Sequence, residues 1–143
     1  MLQSVELKDY MTHAVTVTAE MTVYEAAHTI LVNKISGVAV VDDDYHLIGM
    51  VSELDCLRVI LDSAYNDEEF GAATVADIMT RECETQTPHD DIVDVAASML
   101  DHKHRRRPVV QEDGRLVGQV TCRQILKVIG EDGLKSRKKP KKR

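Results

Sequence analysis

Apolar residues recur along this chain with two different periods. Over Val23, Ala26, Ala27, Ile30 and Leu31 they fall at i, i+3, i+4, i+7 and i+8, one stripe of an amphipathic helix. The same spacing returns at Ile92, Val95, Ala96, Met99 and Leu100. Each helix opens on a capping signal: Thr22-x-x-Glu25 for the first and Asp91 for the second. After each helix come two short apolar runs split by turn residues. Val38–Val41 and Leu47–Val51 flank Asp42-Asp43-Asp44-Tyr45-His46, and Pro108–Val110 and Leu116–Val120 flank Gln111-Glu112-Asp113-Gly114-Arg115. These read as β-hairpins. A closing helix follows each hairpin, over Glu53–Leu61 and Cys122–Ile129.

The recurrence is a duplication. Thr18–Ile60 slides by 69 positions onto Thr87–Ile129 without a gap, and 13 of 43 aligned positions are identical. Most other pairs keep apolar against apolar, such as Val23/Ile92 and Ile48/Val117. Upstream, Tyr10-Met11-Thr12 matches Ile78-Met79-Thr80 after one residue of slippage, and an extended stretch (Ala14–Val17; Cys83–Thr87) precedes each amphipathic helix. The expected fold is α/β (α+β): two β-α-β-β-α repeats packed about a pseudo-twofold axis. The expected boundaries are repeat 1 over 1–64, repeat 2 over 65–131, and a disordered basic tail over 132–143. Each repeat alone is small for an independent core; the pair shares one.

Composition narrows the chemistry. With one Phe and no Trp among 143 residues, aliphatic side chains fill the core, and stacking on nucleic-acid bases is a poor binding mode. The net charge of −6 conceals an asymmetry. Seven of the nine residues Lys135–Arg143 are Lys or Arg, which leaves the rest of the chain strongly acidic. An acidic body does not suit a phosphate backbone, so nucleic acid is an expected partner only through the tail. Three cysteines (Cys56, Cys83, Cys122) without C-x-x-C spacing fit a reducing cytoplasm. No apolar run reaches the length of a membrane span, and Met1-Leu2-Gln3-Ser4 does not read as a secretory signal. The expected location is cytoplasmic.

No nucleophile, zinc or phosphate-loop motif occurs, and the six histidines offer no metal spacing better than His102-x-His104. The expectation is a non-enzyme with no metal and no catalytic cofactor. Asp42-Asp43-Asp44 reads as a solvated turn, because Glu112-Asp113-Gly114 fills the same place in the second copy. The informative spacing sits where the second hairpin strand meets the closing helix: Gly49-Met50-Val51-Ser52-Glu53-Leu54-Asp55 and Gly118-Gln119-Val120-Thr121-Cys122-Arg123-Gln124. Ser52-x-x-Asp55 and Thr121-x-x-Gln124 serve as helix caps on one reading. On the other, the free N–H groups of the helix start attract phosphate, and a carboxylate one turn in accepts ribose hydroxyls.

The Met-Thr starts, the G-h-h-[ST]-x-x-D signature and the duplication together resemble a tandem cystathionine-β-synthase (CBS) domain pair, or Bateman module, over about Leu7–Ile129. The resemblance implies two clefts between the repeats, an adenosine-type ligand (AMP, ADP, ATP, S-adenosylmethionine or an NAD-type molecule), and regulation of a separate protein. It also implies a homodimer. Carried over residue by residue, Asp55 matches the ribose-binding carboxylate, and Ser52 and Thr121 the neighbouring hydroxyls. Gln124 departs from the Asp. Arg105, Arg106, Arg107 and Pro108 match a basic stretch from which Arg side chains reach phosphate, the other reading being a solvated charge run; alternation along the strand sets Arg106 opposite Arg105 and Arg107, so at most one or two of them face a cleft. Ser36, Gly37, Val38 and Ala39 stand there in the first copy, small enough for an adenine ring to approach the backbone. Thr16 and Thr85 border the base. The resemblance thus implies one strong and one weak or different cleft. Two other functions stay open: a ligand-free assembly module, and a nucleic-acid-associated regulator using the tail.

Overall fold

The structure is a computed structural model that describes residues 4–65 and 73–138, the last seven as backbone only. In chain order, a 3₁₀ turn (Leu7–Tyr10) precedes β1 (Thr16–Thr18), α1 (Val23–Val32), β2 (Gly37–Val41), β3 (Leu47–Ser52) and α2 (Glu53–Tyr65). Then come α3 (Val75–Ile78), α4 (Ile92–His102), β4 (Arg106–Val110), β5 (Leu116–Thr121) and α5 (Cys122–Lys138). The fold is mixed α/β, with both repeats present in the expected order.

Chain packing and sequence repeat divide the molecule differently. One compact unit holds Ala14–Glu84 with Asp113–Leu116; we call it the repeat-1 unit. The other, the repeat-2 unit, holds Met1–His13, Thr85–Glu112 and Val117–Arg143. Each repeat therefore sends its opening turn to the other unit. In the repeat-2 unit, Leu7 N donates to Asp90 O (2.9 Å), Ile92 N to Val5 O (2.7 Å), and Thr12 and Gln119 exchange two backbone bonds. In the repeat-1 unit the counterparts are Val75 N to Met21 O (2.8 Å), Val23 N to Ala73 O (3.0 Å), and the exchange between Met50 and Thr80.

These exchanges explain the repeated Met-Thr and Gly. A Cβ on Gly49 would lie 2.8 Å from Met79 Sδ and 3.0 Å from Thr80 O, and one on Gly118 would lie 2.8 Å from Thr12 O. No side chain fits where the incoming backbone docks.

In the repeat-1 unit, β1 runs parallel to β2 and β2 antiparallel to β3. Val17, Val38, Val40 and Val51 point to one face and join Val23, Ala26, Ile30, Cys56 and Val75 in the core. Thr22 caps α1 with a full box: its Oγ1 accepts from Glu25 N (3.1 Å), and Glu25 Oε1 accepts from Thr22 N (3.3 Å). In the repeat-2 unit the core is Leu7, Tyr10, Ile92, Val95, Met99, Val109, Val120 and Ile125. Asp91 caps α4 through Val93 N (2.8 Å) and Asp94 N (3.3 Å). α4 is capped at its C-terminus by Lys103 in the left-handed region, whereas the cap of α1, Asn33, is right-handed and the positive φ falls on the next residue, Lys34.

Three expectations need adjustment. The extended stretch of repeat 2 is no strand but a single parallel bridge, Gln86 to Val109. The reason is Pro108. Its counterpart Ala39 donates its N–H to Val15 O (3.3 Å), and proline has no N–H to give. Leu31 and Leu100, read as part of the buried stripes, are 72% and 78% exposed. They lie at the edge of the stripe, about 80° around the helix from its first residue. Finally, α5 continues to Lys138, through residues expected to belong to a disordered tail. Lys and Arg are good helix formers and suit the negative end of a helix dipole. Residues 139–143 of that tail lie outside the described residues.

Candidate functional site

Strand alternation decides which candidates share a face. With Val17, Val38 and Val51 in the core, their neighbours point the other way. Thr16 pairs with Ala39, Ala39 with Met50, and Gly37 with Ser52. The far face of the repeat-1 sheet is therefore surfaced by Thr16, Gly37, Ala39, Met50 and Ser52, mostly small residues. Gly37 is required there: a Cβ would meet Val51 O at 2.9 Å. Val38 belongs to the candidate stretch by position only. Its side chain is 1% exposed in the core, so it offers a ligand nothing but backbone. Ser36 precedes the strand, and its carbonyl accepts from Glu53 N (2.9 Å), which ties the stretch to the start of α2.

Ser52 ends β3 and Asp55 lies in the first turn of α2. Asp55 Oδ2 accepts from Ser52 N at 2.8 Å, and Ser52 Oγ accepts from Asp55 N at 3.1 Å. This reciprocal capping box uses one carboxylate oxygen and one hydroxyl lone pair. Among the described residues, Asp55 Oδ1 and the Ser52 hydroxyl proton have no further partner. Both residues are half-buried. The cap thus orients an acceptor and a donor without consuming them. Next to it, burial and then the Asp55 charge raise the Cys56 thiol above its ordinary range, so this cysteine is an inert core residue.

The corresponding cluster in the repeat-2 unit is less complete. Thr121 Oγ1 accepts from Gln124 N (3.0 Å), but among the described residues no bond returns from Thr121 N to the Gln124 side chain. Arg106 is half-buried in β4, Pro108 is buried, and Arg105 and Thr85 are exposed. Cys122 N donates to Arg105 O (2.9 Å), the counterpart of the Ser36–Glu53 tie. Since Val109 lies in the core, alternation puts Arg106 and Pro108 on the opposite face, where Gly37 and Ala39 stand in repeat 1. Arg107 is 1% exposed and no part of a solvated charge run.

The acidic hairpin tip behaves as a turn. Asp42 Oδ1 accepts from His46 N (2.8 Å) and Asp44 N (3.0 Å). The His46 backbone bond chiefly holds the Asp42 carboxyl below its usual range. Among the described residues no group of three or more His, Cys, Asp and Glu side chains is placed to hold a metal ion, and no helix is long and apolar enough to cross a membrane.

Met50 escaped the sequence reading: it lies on the candidate face, which its place between Gly49 and the core residue Val51 already implied. Arg107 was read with Arg105 and Arg106 as a basic stretch and is instead buried; the repeat register, which aligns it with the core residue Val38, was the available signal.

The model of the CBS domain matches residues 7–62 and 75–131, and the chain belongs to that family as a tandem pair. An uncharacterized protein of Methanocaldococcus jannaschii, MJ1225, is 36% identical over 108 residues, which are 76% of this chain and 36% of that protein. The chain spans about half or less of the length of such curated relatives. Among solved structures, CBSX2 of Arabidopsis thaliana in complex with AMP superposes with a TM-score of 0.80 at 26% identity, covering 91% of this chain and 99% of that one. The CBS domain pair of MJ0100, in complex with 5-methylthioadenosine and S-adenosyl-L-methionine, gives 0.75 at 25% identity, with coverage of 90% and 99%.

Proposed function

We propose that this chain is a regulatory module that binds an adenosine compound (AMP, ADP, ATP, S-adenosylmethionine or an NAD-type molecule) and signals its presence to a separate protein in the cytoplasm. The observation that carries the reading is the Ser52–Asp55 box. It presents an uncommitted carboxylate oxygen and hydroxyl proton at a helix start, beside a sheet face of Thr16, Gly37 and Ala39. A ribose diol needs that acceptor, a phosphate suits the helix N-terminus, and a flat base needs small residues below it. Relatives with AMP, 5-methylthioadenosine and S-adenosylmethionine bound support the ligand class. The Thr121–Gln124 cluster lacks the carboxylate, so it is the weaker or differently selective of the two.

A ligand acts on a partner only through unequal affinity for two arrangements of the module. An exposed apolar stripe supports assembly: Leu54, Leu57, Leu61 and Tyr65 lie along one side of α2 and are 67%, 59%, 53% and 82% exposed. We assign this stripe to a homodimer contact.

Calorimetry with AMP, ATP and S-adenosylmethionine tests the ligand reading. A ligand at a hundred times its Kd stabilises the fold by about 2.7 kcal/mol, which a melting curve also detects. Failure of every adenosine compound to bind or to raise the Tm at millimolar concentration would leave the alternative, a ligand-free assembly module whose boxes are only caps.

A further inference from the structure

The two repeats differ in and beside their cores. In the 69-residue register, Val17, Met21, Ile35 and Val38 of repeat 1 correspond to Gln86, Asp90, His104 and Arg107 of repeat 2. The first set packs in an apolar core. The second is a half-buried polar chain around one buried arginine: Arg107 Nη1 donates to Gln86 Oε1 (2.8 Å), Gln86 Nε2 to Asp90 Oδ2 (2.5 Å), and Arg107 Nε to His104 Nδ1 (3.2 Å). Arg107 is 1% exposed, and among the described residues no ion pair joins it to a carboxylate. Its charge meets Asp90 only through the neutral Gln86 amide.

The bond to His104 sets a protonation state. A guanidinium only donates, so His104 Nδ1 must offer a lone pair and its ring must be neutral. A proton on Nδ1 would abolish that bond and set two cations 3.2 Å apart, one of them a guanidinium that is 1% exposed. His102 differs. Its Nδ1 lies 2.8 Å from Ser98 O, a contact in which the ring donates, and 3.4 Å from Arg107 Nη2, and the residue is exposed in the last turn of α4.

We propose that His104 and Arg107 form a proton-sensitive latch that loosens the repeat-2 unit as pH falls through the ordinary imidazole range. Among the groups facing it are His102 from α4, with ring centroids 5.4 Å apart, Gln86 and then Asp90 from the segment before α4, and the Cys122 thiol, which donates to His104 O (3.5 Å) from α5. Lys103 and Arg105, its neighbours in the chain, are exposed. Of these groups Asp90 carries the negative charge. Burial pushes the Asp90 carboxyl up, but bonds from Thr87 N, the Thr87 hydroxyl and Gln86 outweigh it and leave it below the usual range. Asp90 therefore stays ionised throughout the imidazole window and contributes to acid lability only below about pH 4.

The unfolded chain takes up the His104 proton near pH 6.5, whereas the latched form resists it. Stability due to the latch is thus fully present above that pH and falls below it, by up to about tenfold in the unfolding constant per pH unit for one linked proton. Urea melts of the ligand-free full chain, followed by circular dichroism at pH 7.5, 6.5 and 5.5, read this directly. His104→Asn keeps a neutral acceptor and cannot be protonated. Between pH 6.5 and 5.5 the wild-type unfolding constant should rise by up to about tenfold more than that of His104→Asn. If His104→Asn does not fold, the double variant Gln86→Val with Arg107→Val, which restores the repeat-1 residues, should lose the same acid sensitivity. An identical pH dependence in wild type and either latch variant would overturn the proposal. No ligand is present in these melts, so their outcome is independent of adenosine binding.

Discussion

Replacing Asp55 by Ala weakens AMP binding about 10- to 150-fold in calorimetry at fixed pH and salt. The figure follows from loss of a charge-assisted hydrogen bond, worth about 1.5–3 kcal/mol. The structure makes the test sharp, because the same carboxylate also caps α2 through Ser52 N. Loss of that cap destabilises the fold by about 1 kcal/mol without ligand. Asp55→Asn separates the roles: its side-chain oxygen caps the helix, but its charge is gone. An account based on ribose recognition expects both variants to bind weakly and Asp55→Asn to melt close to wild type. Binding lost in Asp55→Ala and kept in Asp55→Asn would reduce Asp55 to a cap.

The second large effect is structural. Leu7→Ala should destabilise the protein by about 2–5 kcal/mol, the range for a fully buried leucine whose site cannot collapse. Leu7 is 0% exposed. The informative part is where the damage falls. Leu7 opens repeat 1 in sequence but packs with Ile92, Val95 and Met99 in the repeat-2 unit. Hydrogen exchange should therefore accelerate in α4 and β4 before it does in α1. Val75→Ala, at the matching place in α3, should do the reverse, with a cost about 1 kcal/mol smaller for one methylene less. Damage confined to α1 and β2 in Leu7→Ala would contradict the exchange of opening turns.

Much of this was legible from residue order alone. The duplication, the two capped amphipathic helices, the hairpins and the hydroxyl-to-N3 pairs all rest on local rules: period, cap chemistry and turn residues. The exchange of opening turns was not legible, because nothing local in Leu7–Tyr10 says which helix it will cover. Leu31 and Leu100 misled for a related reason. Periodicity shows which side of a helix is apolar, not how far the neighbouring sheet extends under it. Arg107 was misplaced because three consecutive arginines read as one basic stretch. Alternation already set Arg107 opposite Arg106; Val109 in the core is what shows that Arg107 is the one turned inward.

At the candidate site, the sequence already held both readings of Ser52 and Asp55, cap and ligand. The structure makes them compatible, since the cap occupies one carboxylate oxygen and leaves the other uncommitted among the described residues. What distinguishes the two clusters was visible as Gln124 in place of Asp. The half-formed box at Thr121 gives that difference its geometry.

The most direct measurement is an amide NMR titration of the intact chain with AMP. Binding at the proposed site shifts the amides of Thr16, Gly37, Val38, Ala39 and Ser52 through Asp55 first and saturably, with smaller or later changes around Thr85, Arg106 and Thr121. A spectrum unchanged at millimolar AMP, or shifts confined to residues remote from Asp55, would contradict the assignment of this face to an adenosine ligand.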